Sequence, residues 1–135
     1  MTFVLTSNCV ARPDEKGFSK KLERLNRISL EAAKQSGRGR VPQIDGLATL
    51  EQAVERMKAF DKAVWCYEKG GVPFGSLGLA PNTKIGLLIG SEGGFSDKEA
   101  KTLPFEPVSL GKRILRCETA PLAAAAIIMN LTGNM

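Results

Sequence analysis

The residues best suited to chemistry lie in two short segments. In Ile85-Gly86-Leu87-Leu88-Ile89-Gly90-Ser91-Glu92-Gly93-Gly94-Phe95-Ser96 an apolar run breaks into glycines and then into a helix-start signal. In Ser109-Leu110-Gly111-Lys112-Arg113-Ile114-Leu115-Arg116-Cys117-Glu118-Thr119-Ala120 a short strand, a glycine turn and a helix start follow in the same order. Glycine at these turns lets the backbone approach a ligand closely and take positive φ where a Cβ would clash. Two such junctions together form a crevice lined by backbone amides, which suits a small polar cofactor. Neither is a Walker loop or a G-x-G-x-x-G fingerprint, so nucleoside triphosphates and dinucleotides have no support. Glu92 and Glu118 are the carboxylates within the two segments. The chain has no histidine, and its three cysteines, Cys9, Cys66 and Cys117, show no C-x-x-C spacing. Neither a metal site nor a disulfide framework is expected.

Loops of this kind need strands behind them. Thr2 to Thr6 reads as a short buried strand, Ser7 to Gly17 as a surface loop, and Phe18 to Gln35 as a helix. In that helix Phe18, Leu22, Leu25, Ile28 and Ala32 keep helical spacing, and Gly37 supplies the stop. Val41 to Ile44 is predicted as a short strand, with Pro42 confining it to an edge or a strand start. Thr49 can cap a helix from Leu50 to about Phe60, its inner face being Ala53, Val54 and Met57. Lys62 to Tyr67 is a strand running into the polar loop Glu68 to Gly71, and Val72 to Thr83 is a connection. Ile85 to Ile89 is predicted as the central strand. Ser96 and Glu99 form a capping box on a short helix that Pro104 ends. Val108 to Leu110 is the last strand. Thr119 is predicted to cap the final helix, in which Leu122 to Met129 reads as buried.

Strands alternating with helices, apolar rather than alternating in pattern, predict an α/β fold with a mostly parallel sheet in one domain. Ligands bind such sheets beyond the carboxyl ends of the strands, where Glu68 to Gly71, Gly90 to Phe95 and Gly111 to Arg116 would lie. The net charge of +5 and a pI near 9.3 lean towards a polyanionic partner. No secretory signal is read, no run is apolar enough to span a bilayer, and a reducing cytoplasm fits the free cysteines.

Three segments, in order, resemble one family. Leu88 to Ser96, then Leu110 to Ala120, and upstream Glu31-Ala32-Ala33-Lys34-Gln35-Ser36-Gly37-Arg38 followed by Val41-Pro42 are similar to the RsmE family of the SPOUT superfamily. The resemblance covers nearly the whole chain. It implies an α/β knot, with a C-terminal segment threaded into a trefoil, which is a rare exception to unknotted topology. It also implies S-adenosylmethionine as cofactor and N3 of a uridine in 16S ribosomal RNA of the small subunit as substrate. The protein would be a homodimer.

Carried over residue by residue, the resemblance puts Leu88, Ile89, Gly90, Glu92 and Gly94 on one side of the cofactor. Leu110, Gly111, Ile114, Leu115 and Arg116 would close the other. Uracil N3 carries a proton that must leave, which calls for a base or for stabilisation of the anion. With no histidine, Arg116 and Glu118 are the catalytic candidates, although Glu118 is equally suited to capping the last helix. Gln35, Arg38 and Arg40 are candidate RNA contacts, since a planar guanidinium suits phosphate.

Two departures from the family pattern stand out. Ser91 occupies a position where the family commonly has proline. The chain also lacks counterparts of the family's N-terminal PUA-like RNA-binding barrel and of the first strand and helix of its knot domain. A non-catalytic RNA- or ribosome-binding remnant is therefore the second reading, and methylation of a ribose 2′-hydroxyl a weaker third.

Overall fold

The computed structural model describes residues 1–10 and 12–135, which divide into two compact units. The first comprises Met1–Leu5 with Val10–Ala53, the second Thr6–Cys9 with Val54–Met135.

In the first unit β1 (Phe3–Leu5) pairs in parallel with β2 (Leu47–Thr49). Between them runs α1 (Glu15–Gln35), which starts three residues earlier than hydrophobic spacing suggests. Its start is fixed by a polar signal instead: the Asp14 side chain accepts from Gly17 N at 2.8 Å. Phe18 and Ala33 are buried on its inner face, while Ile28 and Leu30 are exposed. The expected strand over Val41 to Ile44 does not form. Asn26 takes up the backbone of Ile44 instead, accepting from its N–H at 3.0 Å and donating to its carbonyl at 3.1 Å. The Pro42 carbonyl accepts from the Ser29 hydroxyl, and proline has no N–H to offer a ladder. The strand starts six residues later, at Leu47–Thr49. The helix after it, α2 (Leu50–Met57), is capped by Thr49, whose hydroxyl accepts from Gln52 N at 3.2 Å while the Gln52 side-chain oxygen accepts from Thr49 N at 3.0 Å. It ends at Met57 rather than Phe60.

The second unit holds a four-stranded sheet in the order β4-β6-β3-β5, all neighbours parallel. These strands are β3 (Lys62–Cys66), β4 (Val72–Pro73), β5 (Ile85–Leu88) and β6 (Glu106–Ser109). β5 is thus an edge strand of this sheet and not its centre. The segment after Gly71, expected to be irregular throughout, supplies β4 and a 3-10 turn over Phe74–Leu77. β3 and β6 form the middle, and their Val64 and Val108 are completely buried. Burying one such side chain contributes roughly 1.5–3 kcal/mol. Phe74, Leu77 and Ala124 close the core around them.

The helix α3 (Asp97–Thr102) opens on the predicted capping box of Ser96 and Glu99. Glu99 also accepts from Ser7 N at 2.8 Å. Its burial alone would raise the pKa, but the Ser7 and Ser96 donors outweigh that and hold the carboxyl below the usual range. α4 (Thr119–Leu131) departs from expectation twice. Thr119 is its first helical residue and not its cap; Glu118 holds the cap position without any side-chain capping bond. Leu122 is 73% exposed and Met129 45%, so the alanine-rich run is buried on one face only.

Candidate functional site

The loops at the carboxyl ends of β3, β5 and β6 converge in the second unit on a cavity of about 700 Å³. Its walls are Cys66 to Glu68, Ile89 to Gly94, Ser109 to Glu118 and Ala120. This volume is within the range of small-molecule and cofactor sites.

Each wall has its own support. Phe95, 2% exposed, anchors the loop after β5, with its ring edge-on to Trp65 at 5.2 Å between centroids. Trp65 is itself held by its indole N–H, which donates to the Phe105 carbonyl at 2.9 Å. The same loop folds back on itself through Gly94 N, which donates to Ser91 O at 2.9 Å. Asn8 secures its outer side by donating to the Gly93 carbonyl at 2.8 Å. Gly94 has φ of +61°, and a Cβ there would lie 2.9 Å from the Glu68 carboxylate. A Cβ on Gly90 would meet the Gly94 backbone at 3.1 Å. The two glycines therefore let this loop pack closely on itself and on Glu68.

The lining charges balance. Glu68, Glu92 and Glu118 face the cavity with Lys112, Arg113 and Arg116. Such a lining suits a ligand that carries both signs of charge. Ser91 Oγ is buried and has no hydrogen-bond partner among the described residues. A buried hydroxyl left unpaired is costly, and a ligand atom at this wall would satisfy it.

Of the residues singled out for the cofactor, Ile89, Gly90, Glu92, Gly94, Leu110, Gly111, Ile114, Leu115 and Arg116 line the cavity, as does Glu118. Leu88 does not: strand alternation turns it into the core, where it is 4% exposed. Ile114 lies at the wall with 77% of its surface open. Gln35, Arg38 and Arg40 are exposed in the first unit, at the end of α1 and in the loop beyond it. Arg116 has two distinct parts. Its carbonyl accepts from Thr119 N and Ala120 N, both at 2.9 Å, and so starts α4, while its exposed guanidinium has no partner among the described residues.

Sequence reasoning missed Cys117. Its thiol lies 3.2 Å from Glu92 Oε1 and 3.4 Å from Glu118 Oε2, joining the two carboxylates at the cavity wall. The only sequence signal was its place between Arg116 and Glu118. The hydrogen bond to Glu92, then burial and the Glu118 carboxylate, raise the thiol pKa from 9.0 to about 11. Glu92 is held below the usual range by its own backbone N–H and then by the thiol. A raised folded pKa means this arrangement is complete below pH 9.0 and is lost as pH rises through about 11. Iodoacetamide labelling of Cys117, followed by peptide mass spectrometry, is therefore expected to stay slow through pH 9.0 and to accelerate towards pH 11. Glu92→Gln should move that profile down. A wild-type midpoint at or below pH 9.0 would contradict the thiol–carboxylate contact.

Fold and cavity define a parallel α/β domain with a ligand site at the strand ends, and this chain belongs to the RNA methyltransferase domain family, whose model matches residues 1–129. Within the family it is similar to Ribosomal RNA small subunit methyltransferase E of Bacillus subtilis (strain 168), with 36% identity over 88% of this chain and 50% of that protein. The protein of the same name from Synechocystis sp. (strain ATCC 27184 / PCC 6803 / Kazusa) is 38% identical over 93% of this chain and 42% of its own length. A solved structure of Ribosomal RNA small subunit methyltransferase E from Neisseria gonorrhoeae, bound to S-adenosyl methionine, superposes with a TM-score of 0.83 at 32% identity. It is matched over 96% of this chain and 53% of that one. The chain spans about half the length of the curated relatives it matches.

Proposed function

We propose that this chain is the methyl-transferring part of an S-adenosylmethionine-dependent ribosomal RNA methyltransferase acting on N3 of a uridine in 16S RNA. The single observation that carries the reading is the cavity at the strand ends, with its balanced charges and its unpartnered Ser91 hydroxyl. S-adenosylmethionine carries an ammonium, a sulfonium and a carboxylate, and so matches a lining of three carboxylates and three cations. Its adenine suits an apolar slot such as Leu110 and Leu115 provide. When bound, it supplies an electrophilic methyl group on sulfur.

The chain's own residues supply the rest. Gly90, Gly94 and Gly111 leave room for the cofactor against the backbone. The Arg116 guanidinium, without a partner among the described residues, is suited to stabilising the negative charge that develops as uracil N3 gives up its proton. Glu118, whose carboxylate makes no capping bond to α4, is available to orient the base or take that proton. Cys117 holds Glu92 and Glu118 in a common arrangement. Gln35, Arg38 and Arg40 would contact RNA. The family resemblance further supports a C-terminal trefoil knot and a homodimer, and the exposed Leu122 and Met129 on α4 suit an interface between copies.

The test is calorimetric titration of S-adenosylmethionine into the 135-residue chain, followed by transfer of labelled methyl to small-subunit ribosomal RNA. Saturable one-to-one binding and N3-methyluridine in a nuclease digest are expected. Binding without transfer would favour the RNA-binding remnant. Label recovered on ribose would move the assignment to the 2′-hydroxyl. A folded chain that binds no cofactor would overturn the enzyme reading.

A further inference from the structure

The chain's charge is unevenly placed. Residues 12–40 hold nine of the nineteen Lys and Arg but four of the fourteen Asp and Glu, which accounts for the whole net charge of +5. The remaining residues are balanced. Most of this charge sits on α1 (Glu15–Gln35).

The helix arranges it on one side. Phe18, Leu22, Leu25, Ser29 and Ala33 follow helical spacing along the less exposed face. Lys16, Lys20, Arg24 and Arg27, at spacings of four, four and three residues, fall on the opposite face and are all exposed. Among the described residues none of these four has an ion-pair partner. Further along the same stripe Lys34 is neutralised by Glu31 at 3.1 Å, and the acidic residues of the helix are Glu15, Glu23 and Glu31, against six Lys and Arg. Lys21 lies off the stripe, with its ammonium 5.7 Å from the centre of the Phe3 ring. Four cations without an ion pair among the described residues thus span ~17 Å of helix.

A solvated helix face normally mixes its signs and pairs them, as Lys34 and Glu31 do. On this face the four cations form no ion pair among the described residues and stand in a row. We infer that the exposed stripe of α1 is an RNA-docking surface, in which Lys16, Lys20, Arg24 and Arg27 lie along consecutive backbone phosphates. The match is one of charge and repeat: neighbours on the stripe are about 5–6 Å apart at Cβ, and each cation reaches outward on a long flexible stem. Contacts of this type position the RNA without reading its sequence. The inference rests on the proposed function and adds a surface beyond Gln35, Arg38 and Arg40.

The experiment measures how RNA affinity depends on salt. Transcribed small-subunit ribosomal RNA is titrated with the wild-type chain, with a Lys20→Gln/Arg24→Gln/Arg27→Gln triple variant, and with a Lys58→Gln/Lys84→Gln/Lys98→Gln triple variant of equal net charge. Each phosphate contact contributes about 0.7–0.9 to the slope of log affinity against log salt. The α1 variant is expected to lose roughly 2–3 units of slope and to bind at least about tenfold more weakly near physiological salt. The second variant should keep a slope near that of the wild type. All six positions are exposed or pair only at the surface, so both variants should retain the wild-type melting temperature and cofactor affinity. Equal slope losses in both variants would show a general charge effect and overturn the docking surface. An unchanged slope in the α1 variant would do the same. Wild-type protein that binds cofactor but no RNA would overturn the proposed substrate together with this surface. Binding to phosphatidylserine vesicles in place of RNA, lost in the α1 variant, would reassign the stripe to a membrane surface.

Discussion

Gly71→Ala is expected to lower the melting temperature by roughly 10 °C, which corresponds to a loss of about 3 kcal/mol or more. Gly71 immediately precedes β4, with φ of +146°, a conformation that residues with a side chain rarely adopt. A Cβ there would lie 2.7 Å from the Pro107 carbonyl oxygen, 2.8 Å from its carbon and 2.9 Å from the Val108 carbonyl carbon. All three are backbone atoms of β6, the strand between β3 and β4, so no side chain can rotate to relieve the contact. The chain must either separate β4 from β6 or distort the middle of the sheet. Gly75→Ala is the matched comparison, because its Cβ would meet nothing within 4 Å. Thermal unfolding followed by circular dichroism reads both. If Gly71→Ala melts within a degree or two of the wild type, the packing of this turn against β6 is wrong. The damage should also reach the cavity, because Cys66, Tyr67 and Glu68, just before the turn, form one of its walls.

The second large effect is expected at Arg116. Arg116→Ala should reduce kcat/KM for RNA methylation about 100- to 1000-fold, the usual result of removing one donor aimed at developing charge. Fold and α4 should survive, because the capping contacts to Thr119 and Ala120 come from the Arg116 carbonyl and not from its side chain. Cofactor affinity should fall much less than turnover. Arg116→Lys, which keeps the charge but loses the planar fork, should restore only part of the rate. Single-turnover kinetics with saturating cofactor separate these effects. A rate within threefold of the wild type would remove Arg116 from the chemistry and leave it a purely structural role at the start of α4.

How far these features could be read from sequence depended on the range of the interactions. The Thr49 cap and the Ser96–Glu99 capping box were legible because the groups they join lie three residues apart in the chain. The glycine junctions were legible because turn geometry restricts residue type locally. The strand predicted from Val41 was lost to Asn26, whose side chain takes both backbone groups of Ile44, eighteen positions further on. Strand order was equally out of reach. An apolar run such as Ile85 to Ile89 has the same composition at the edge of this sheet as at its centre, and only pairing decides. Leu88 and Cys117 were both out of reach. A continuous apolar strand does not reveal which alternate residues turn to the core, and the link from Cys117 to Glu92 joins residues twenty-five positions apart.

The strand order also bears on how the chain folds as it is made. β6 occupies the gap between β3 and β4, yet it is the last of the four strands in sequence, and its Val64↔Glu106 register joins residues forty-two positions apart. β4 has no partner but β6. Until residues 106–109 are available, β3 can pair only with β5, and one side of β3 remains an unpaired edge. Parallel pairings over such separations form slowly, because the loop must close before any contact rewards it. A chain emerging from the ribosome therefore presents a two-stranded fragment with an open edge while the residues between Leu88 and Glu106 are added. The sheet becomes cooperative only when its middle strand arrives.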